Sequence, residues 1–482
     1  LRIGSEARLR DTFQAFTMQD TDALLDSLIR SAEPEAAAAV VRLIRDGSDA
    51  ELAAVNPLAF AAEHRLAEAA VISALLHAAR LGLFEMTWNV ICPSCGGILD
   101  ANATLKGVRQ DAYHCAFCTL DTEPTLDDTV EVSFRVSSRV RRIGAHDPDG
   151  LTFWDYHRQV FFGSAVNFPD AFSELADRAL VESAELEAGE RIILALRLSE
   201  PAIVLDPVTH ATHTIELVGE RTDERQDLTL VFSDSRGCAT GGALRPGPVR
   251  LTLDNRTAAR VLPGVFSAGE ALQALIGGRR PFLSAKRLLS SQTFRDLYRT
   301  DTLEIDQRLK IVSLTFLFTD LKGSTALYER VGDLVAYDLV RAHFRILNEI
   351  VAGQSGAVVK TIGDAVMATF PTPDRALAAA LAMHEAMNRF NAERGVNELI
   401  LKIGIHEGPC LAVSSNDRQD YFGQTVNIAA RVQELAGAQA VFATESVVRH
   451  VGSSCLLSAR RVRSEQRSLR GIGGGVTIYE IA

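Results

Sequence analysis

An α+β C-terminal domain preceded by a helical segment, a four-cysteine module and a β-sandwich-like domain is the architecture that the sequence predicts. Three observations carry it. From Ile311 onward, apolar residues recur at period two, then at helical spacing, then at period two again. Between residues 132 and 267, short β-rich runs are punctuated by turn clusters. Up to residue 87 the chain is rich in Ala, Leu, Glu and Arg at helical period. A chain of 482 residues accommodates about three domains of roughly 150 residues each.

The hydrophobic content of 47% and charged content of 23% describe an ordinary globular protein that needs no covalent staples at this length. A net charge of −11 argues against a nucleic-acid partner or an anionic membrane surface, since both reward clustered Lys and Arg. The longest apolar stretch, Ala69 to Met86, is interrupted by His77 and Arg80 and reads as an amphipathic helix. No signal peptide is expected, and a start at Leu1 leaves an upstream segment open. Seven cysteines, four of them in CxxC pairs, suit a reducing compartment, so a cytoplasmic location is expected.

In residues 1–87, Asn56-Pro57 reads as an N-cap and first-turn proline that launch a helix through His77 and Arg80. The segment is a packing bundle or a small helix-turn-helix-like unit. Residues 88–131 hold Cys92-x2-Cys95 and Cys115-x2-Cys118, with nineteen residues between the pairs. This spacing matches a four-thiolate ribbon binding a structural Zn²⁺, with Pro93 and Gly96-Gly97 supplying tight turns. A redox pair is the alternative. Cys238, Cys410 and Cys455 read as isolated thiols.

Strands are expected at Val130–Val136, Gln159–Ser164, Arg191–Leu198, Thr214–Val218, Leu228–Phe232 and Val249–Leu253, with turns at 146–150 and 234–237. His210 and His213 read as surface residues rather than a metal pair. The connector, 268–310, carries one helix at Gly269–Ile276 and the aromatic-bearing run Phe294-Arg295-Asp296-Leu297-Tyr298. Its basic residues Arg279, Arg280, Lys286 and Arg287 read as a solvated face, or as a lever coupling the two halves.

In residues 311–482, Val312, Leu314, Phe316 and Phe318 alternate with Ser313, Thr315 and Thr319 as in a strand. A helix follows and breaks at Gly332-Asp333. A second helix carries Val335, Leu339, Phe344, Leu347 and Val351 on one side. Ala357–Thr361 and Ala365–Phe370 flank Gly363-Asp364 as a hairpin, where Gly supplies the positive φ of a tight turn. Arg375–Phe390 is helical, Leu399 to Ile405 alternates, and Val426–Leu435 is helical. The order β-α-α-β-β-α-β-α-β describes a sheet with helices on one face.

The chemistry concentrates here. The first strand ends on Asp320 and runs into the small-residue turn Gly323-Ser324-Thr325 that opens a helix. A second acid, Asp364, sits on the hairpin turn. Two acids beside a helix start suggest a divalent-metal site for a nucleoside triphosphate. No GxxxxGK[ST] run is present, which excludes a P-loop ATPase.

Four ordered blocks now carry a resemblance: Phe318-Thr319-Asp320 through Gly323-Ser324-Thr325, Val359-Lys360-Thr361-Ile362-Gly363-Asp364, Gly404-Ile405-His406-Glu407-Gly408, and Asp420-Tyr421-Phe422-Gly423-Gln424-Thr425-Val426-Asn427 through Arg431. Residues 311–482 resemble the catalytic domain of class III adenylyl/guanylyl cyclases, which implies a ferredoxin-like sheet with helices. The resemblance implies that Asp320 and Asp364, helped by the Leu321 carbonyl, hold two Mg²⁺ or Mn²⁺ ions. It gives Gly323, Ser324 and Thr325 to the phosphates, Lys360 and Asp420 to the base, Asn427 to the ribose and Arg431 to the α-phosphate. Arg470 falls near a position that touches the terminal phosphates, with Arg where Lys is common. His406 reads as structural.

An ammonium and a carboxylate complement the N1 acceptor and amino donor of adenine, whereas guanine reverses that pattern. Guanylyl members typically carry Glu and a small polar or thiol residue at these positions, and this chain has neither. The expected activity is ATP to 3′,5′-cyclic AMP and pyrophosphate. A guanylyl cyclase or a catalytically silent nucleotide sensor is the alternative. Such sites form head-to-tail between two catalytic domains, which implies a homodimer with two composite sites. The N-terminal two-thirds resembles an uncharacterised domain fused ahead of bacterial cyclases, implying regulation by an unnamed ligand or protein.

Overall fold

The structure, a computed structural model, describes residues 18–233, 238–298, 303, 307–394, 399–415, 418–437 and 440–482. The chain divides into two compact units. One is Leu1–Thr87 with Ser133–Pro281, and the other is Trp88–Val132 with Phe282–Ala482. The cysteine module therefore belongs to the same unit as the C-terminal domain. Among the described residues, no helix is long and apolar enough to cross a membrane.

In the first unit, Asn56 caps a helix as expected, accepting hydrogen bonds from the backbone of Leu58 and Ala59. That helix, Pro57–His64, does not continue through His77. Arg65 adopts φ 56°, and Leu66 N bonds back to Ala61 O at 2.9 Å, a left-handed C-terminal cap that ends the helix. A separate helix, Glu68–Arg80, follows.

The β-rich region holds a five-stranded and a three-stranded sheet. Leu196, Phe232 and Leu251 of the smaller sheet share one core with Val204, Ile215 and Val265 of the larger, a sandwich-like arrangement. Strands form at Arg191–Leu198, Ala211–Leu217, Gln226–Phe232 and Gly247–Asn255. The expected strand at 159–164 is instead a helical turn, His157–Phe161. Phe153, Trp154, His157 and Phe161 recur at helical spacing, and the first three gather around Phe266, so aromatic packing overrides the local β-propensity. His213 is buried with its ring edge-on to Phe232, not at the surface. The expected turn at 234–237 lies outside the described residues.

In the second unit, the connector holds two short helices beyond the expected one, Ala285–Leu289 and Gln292–Leu297. Lys286 lies on no solvated face. It pairs with Asp127 at 2.8 Å with both side chains largely buried. The cysteine module is sewn to the start of the catalytic domain: Gln307 donates to Val108 O at 2.7 Å, and Leu126 N donates to Lys310 O at 2.9 Å.

The catalytic domain runs β1 (Leu309–Leu321), α1 (Ser324–Val331), α2 (Asp333–Gly353), β2 (Ala357–Ile362), β3 (Ala365–Phe370), α3 (Pro373–Arg394), β4 (Leu401–Ser415), β5 (Arg418–Phe422), α4 (Gln424–Leu435), β6 (Val441–Thr444), α5 (Glu445–Val448), α6 (Ser453–Leu457), β7 (Val462–Ser468) and β8 (Gly475–Ile481). The strand order is β2-β3-β1-β4-β6-β8-β7, with β5 paired to β4. β1 lies between antiparallel neighbours, β3 through Thr319↔Val366 and β4 through Asp320↔Lys402. Leu314 to Thr319 are consequently all buried, which explains why threonines occupy the second face.

The buried stripe of α2 is Ala336, Val340, His343, Leu347 and Val351, while Val335 is 52% exposed. The stripe steps by three and four residues, so it follows the helix more faithfully than the set containing Val335. The helices do not all share one face. Ile403, Ile405, Val441 and Ala443 share a core with α2 and α3. Phe442 and Ile478 pack instead with Val432 of α4. Alternation along the strands thus places α4 on the opposite face.

α4 approaches β4 closely at Gly404, where an added Cβ would lie 2.2 Å from Gln433 N and 2.4 Å from its Cα. Gly404→Ala is therefore expected to destabilise the catalytic domain by about 1–3 kcal/mol through overpacking, read as a lower urea midpoint. An unchanged midpoint would show that α4 can slide freely on the sheet.

Candidate active site

Asp320 sits near the C-terminal end of β1. Thr319 is paired with Val366, so the next residue points the chain toward the hairpin turn that holds Asp364. Gly363 adopts φ 63° there, the turn geometry that glycine supplies without strain. The two acids interact: the Asp320 carboxyl is pushed above its ordinary value chiefly by burial, then by the Asp364 charge, with Lys402 pulling the other way. The Asp364 Oδ2 atom is buried with no hydrogen-bond partner among the described residues. A buried orphan oxygen beside a second, destabilised carboxylate fits a cation held by oxygen donors. Leu321 follows at the strand end, paired with Leu401.

The chain turns into α1 through Gly323, whose φ of 74° puts it in the left-handed region. No side chain caps this helix, so the first-turn N–H groups beginning at Ser324 and Thr325 face outward at its positive end. His343, on the buried stripe of α2, has a pKa pulled down to about 4 by burial, against the opposing pull of Asp364. Sequence periodicity had not marked it.

Lys360 on β2 and Asp420 on β5 meet at 2.6 Å between Nζ and Oδ2. Their side chains are 43% and 19% exposed, so the pair is reachable from outside. Asp420 Oδ1 also accepts from Tyr421 N at 2.9 Å. Asn427 and Arg431 lie one turn apart on α4, and Arg431 is held by Glu434 on the next turn. Arg470 occupies the turn between β7 and β8, whose Leu469 and Ile472 pack on Val432 of α4. The turn carrying Arg470 is thereby tied to the helix that carries Asn427 and Arg431. His406 donates to or accepts from Thr444 Oγ1 at 2.7 Å, and burial brings its pKa down to about 4, in keeping with a structural role. Sequence reasoning also missed Arg295 and Gln292, which bond the backbone of the strands bearing Lys360 and Asp420.

Within one chain, then, two groupings exist: the acids with the start of α1, and the Lys360–Asp420 pair. A third set, Asn427, Arg431 and Arg470, is carried by α4 and the turn packed on it. Separately, the Sγ atoms of Cys92, Cys95, Cys115 and Cys118 all lie within 4.8 Å of one another, a donor set suited to a tetrahedral thiophilic ion. Of the other cysteines, Cys410 is buried and Cys455 exposed, while the side chain of Cys238 lies outside the described residues.

This architecture defines the C-terminal domain as a class III cyclase catalytic fold, and residues 307–481 match the family model described as "Adenylate and Guanylate cyclase catalytic domain". Residues 18–296 match the "Family of unknown function (DUF5939)", and the chain belongs to that family. An adenylate cyclase of Anabaena cylindrica is 30% identical over 183 residues, covering 35% of this chain and 36% of that protein. Adenylate cyclase 1 of Rhizobium meliloti is 28% identical over 136 residues, covering 25% of this chain and 20% of that protein. The chain thus spans about a third of the length of the first of these curated relatives and a fifth of the second. Among solved structures, the adenylyl cyclase CyaB from P. aeruginosa is 23% identical, with TM-score 0.33, covering 36% of this chain and 96% of that one.

Two tests follow from the geometry. The raised Asp320 carboxyl penalises the metal-free fold above its folded pKa, and the penalty is relieved as pH falls through that value. Asp320→Asn is accordingly expected to raise the melting temperature of metal-free protein at neutral pH. A lower melting temperature would mean that the carboxylate is held by structural bonds. For the cysteine cluster, elemental analysis is expected to find one zinc per chain, lost in Cys92→Ser with Cys115→Ser. A disulfide in place of zinc would favour the redox alternative.

Proposed function

We propose that this protein is an adenylyl cyclase, converting ATP to 3′,5′-cyclic AMP and pyrophosphate. The observation that carries the reading is the Lys360–Asp420 pair, a cationic donor against a carboxylate acceptor at 2.6 Å. Lys360 donates to N1 of adenine while Asp420 accepts from its amino group, and guanine would leave both groups facing the wrong partner.

Asp320 and Asp364, helped by the Leu321 carbonyl, would hold two Mg²⁺ or Mn²⁺ ions, which would supply charge neutralisation at the phosphates and lower the cost of ionising the ribose 3′-hydroxyl. The N–H groups at the start of α1, from Gly323 to Thr325, cradle the β- and γ-phosphates. Asn427 orients the ribose so that O3′ lies in line with the bond to the leaving pyrophosphate. Arg431 exchanges its Glu434 partner for the α-phosphate and neutralises charge that grows in the transition state. Arg470 binds the terminal phosphates.

A head-to-tail homodimer brings the acids of one protomer against the Lys360, Asp420, Asn427 and Arg431 set of its partner. Large apolar residues exposed beside both halves of the site support this pairing. Ile362, next to the Asp364 turn, is 55% exposed, and Phe422, two residues after Asp420, is 68% exposed. Leu334, Val335 and Tyr337 of α2 are exposed as well, and apolar residues left uncovered in this number suit an interface. The DUF5939 region acts as a regulatory input, and the four-cysteine cluster as a structural Zn²⁺ site.

Product assays with ATP and GTP in separate tubes, each with Mg²⁺ and Mn²⁺, are expected to yield cyclic AMP in preference to cyclic GMP. Predominant cyclic GMP would overturn the base assignment, and no product with either metal would favour a silent sensor. Mixing Asp320→Ala with Arg431→Ala chains, each inactive alone, is expected to restore roughly a quarter of wild-type activity through one intact site per mixed dimer. No recovery after verified subunit exchange would argue against shared sites.

A further inference from the structure

Lys360 and Asp420 stand on strands that are not neighbours. In the sheet order β2-β3-β1-β4, with β5 on β4, three strands separate the backbones that carry them. Strand pairing therefore leaves their spacing undetermined, and a base reader needs that spacing held to within a fraction of an ångström. The connector helix Gln292–Leu297 supplies the missing link. One amino group of Arg295, Nη2, donates both to Val359 O at 3.2 Å and to Gln419 O at 2.9 Å. These are the residues immediately before Lys360 and Asp420.

Local backbone irregularity makes the first of these bonds available. Between β2 and β3 the register runs Val358↔Ala368 and then Lys360↔Met367, so Val359 is an extra residue without a partner across the ladder. A bulge of this kind frees backbone groups and re-aims the side chain that follows. Arg295 takes the freed carbonyl. Gln292, one turn earlier, accepts from Val358 N at 2.8 Å and so pins the other side of the bulge.

The helix itself is anchored. Phe294 is buried, stacks on Tyr298 and meets Trp88 edge-on at 6.0 Å. A cavity of about 360 Å³ between the helix and the two strands is lined by Arg295, Asn348, Lys360, Thr361 and Gln419, among others. Lys360 thus borders open space on this side, and Arg295, which lines the same cavity, bonds to both strands.

We propose that Arg295 is a positioning residue for base choice. By bridging the carbonyls of Val359 and Gln419 it holds Lys360 and Asp420 at one separation, so that discrimination between purines depends on where the connector helix sits. This deepens the adenylyl cyclase reading and rests on its assignment of Lys360 and Asp420 to the base.

The test uses the full chain. Arg295→Ala, Arg295→Lys and Gln292→Ala are compared with wild type for ATP and GTP dissociation constants, measured by competition against a fluorescent ATP analogue, and for kcat and KM with ATP. Arg295→Ala is expected to weaken ATP about tenfold while changing GTP by less than about twofold. KM for ATP should rise much more than kcat falls. Arg295→Lys, which keeps a cationic donor on a shorter reach, is expected to recover part of the preference. Should Arg295→Ala lose the wild-type melting transition, Gln292→Ala decides: it frees the Val358 anchor, together with an exposed bond to Asp296 within the helix, leaves Arg295 in place, and should narrow the ATP-to-GTP ratio in the same sense, by less. An unchanged ratio in the folded variants, or equal losses for both nucleotides, would overturn the assignment. Lys360→Ala and Asp420→Asn, run in parallel, separate the two readings. If they too leave the ratio unchanged, the base-reading role itself fails. If they collapse it while the Arg295 and Gln292 variants do not, only the positioning role fails.

Discussion

Antiparallel pairing of β1 with β4 is the constraint on which the catalytic domain is built. It runs from Leu309↔Ala412 to Leu321↔Leu401, and three features of the site hang from its register. At one end it presents Asp320 opposite Lys402. Two pairs further along, at Phe318↔Gly404, it places the glycine on which α4, and hence Asn427 and Arg431, is seated. At the other end β4 runs on into β5, which brings Asp420. A slip of one residue would turn every side chain to the opposite face, and β1 cannot tolerate that because its central residues are buried on both faces. Core packing and site geometry are therefore enforced by the same hydrogen-bond ladder.

A bulge in that ladder ties the cysteine module to the site's foundation. The β1–β4 register shifts between Ile311 and Leu314, leaving the N–H groups of Val312 and Ser313 to Asp127, which accepts both. Asp127 also pairs with Lys286 of the connector. Truncating either member of that half-hidden ion pair would strand the other away from water. The stretch after Cys118 that carries Asp127 is thus held by charge, while the connector farther along is held by aromatic packing at Phe294. Both attachments lead to strands that carry candidate site residues, and the module and the catalytic sheet belong to one compact unit.

Electrostatic preparation accounts for the remaining features. Asp320 is partly desolvated and lies within the field of Asp364, an arrangement that disfavours the metal-free ionised state. Such strain is tolerated because the surrounding sheet over-determines the backbone, as expected where function competes with stability. Arg431, in contrast, stays on an accessible helix face with a local carboxylate partner, Glu434.

Much of the catalytic half was legible in the sequence because its signals are local. Period-two alternation placed β1 and β4, the Gly363-Asp364 turn placed the hairpin, and Asn427 and Arg431 four apart shared a helix face without any coordinates. CxxC spacing likewise foretold a cluster of four sulfurs. Local pattern misled where packing overrode it. Aromatic residues at helical spacing turned 157–161 into a helical turn. A left-handed Arg65 cut one expected helix into two, and Val335 lost its place on the buried stripe to Ala336. The first-half strands also held a buried His213 that composition alone assigned to the surface.

What the amino-acid order determined by itself was chemistry and short-range form: the two acids, the helix start beside them, the Lys360 ammonium and Asp420 carboxylate, and the four thiols. Only the tertiary structure decided that α4 lies on the face opposite α2 and α3, that Lys360 and Asp420 meet from strands with three others between them, and that Arg295 of the connector bonds both backbones. The physical reason is that side-chain type and helical or strand period are properties of neighbouring residues. The register of a sheet, the sharing of a freed carbonyl and the choice of face are settled by residues brought together from far along the chain, where no local pattern can report them.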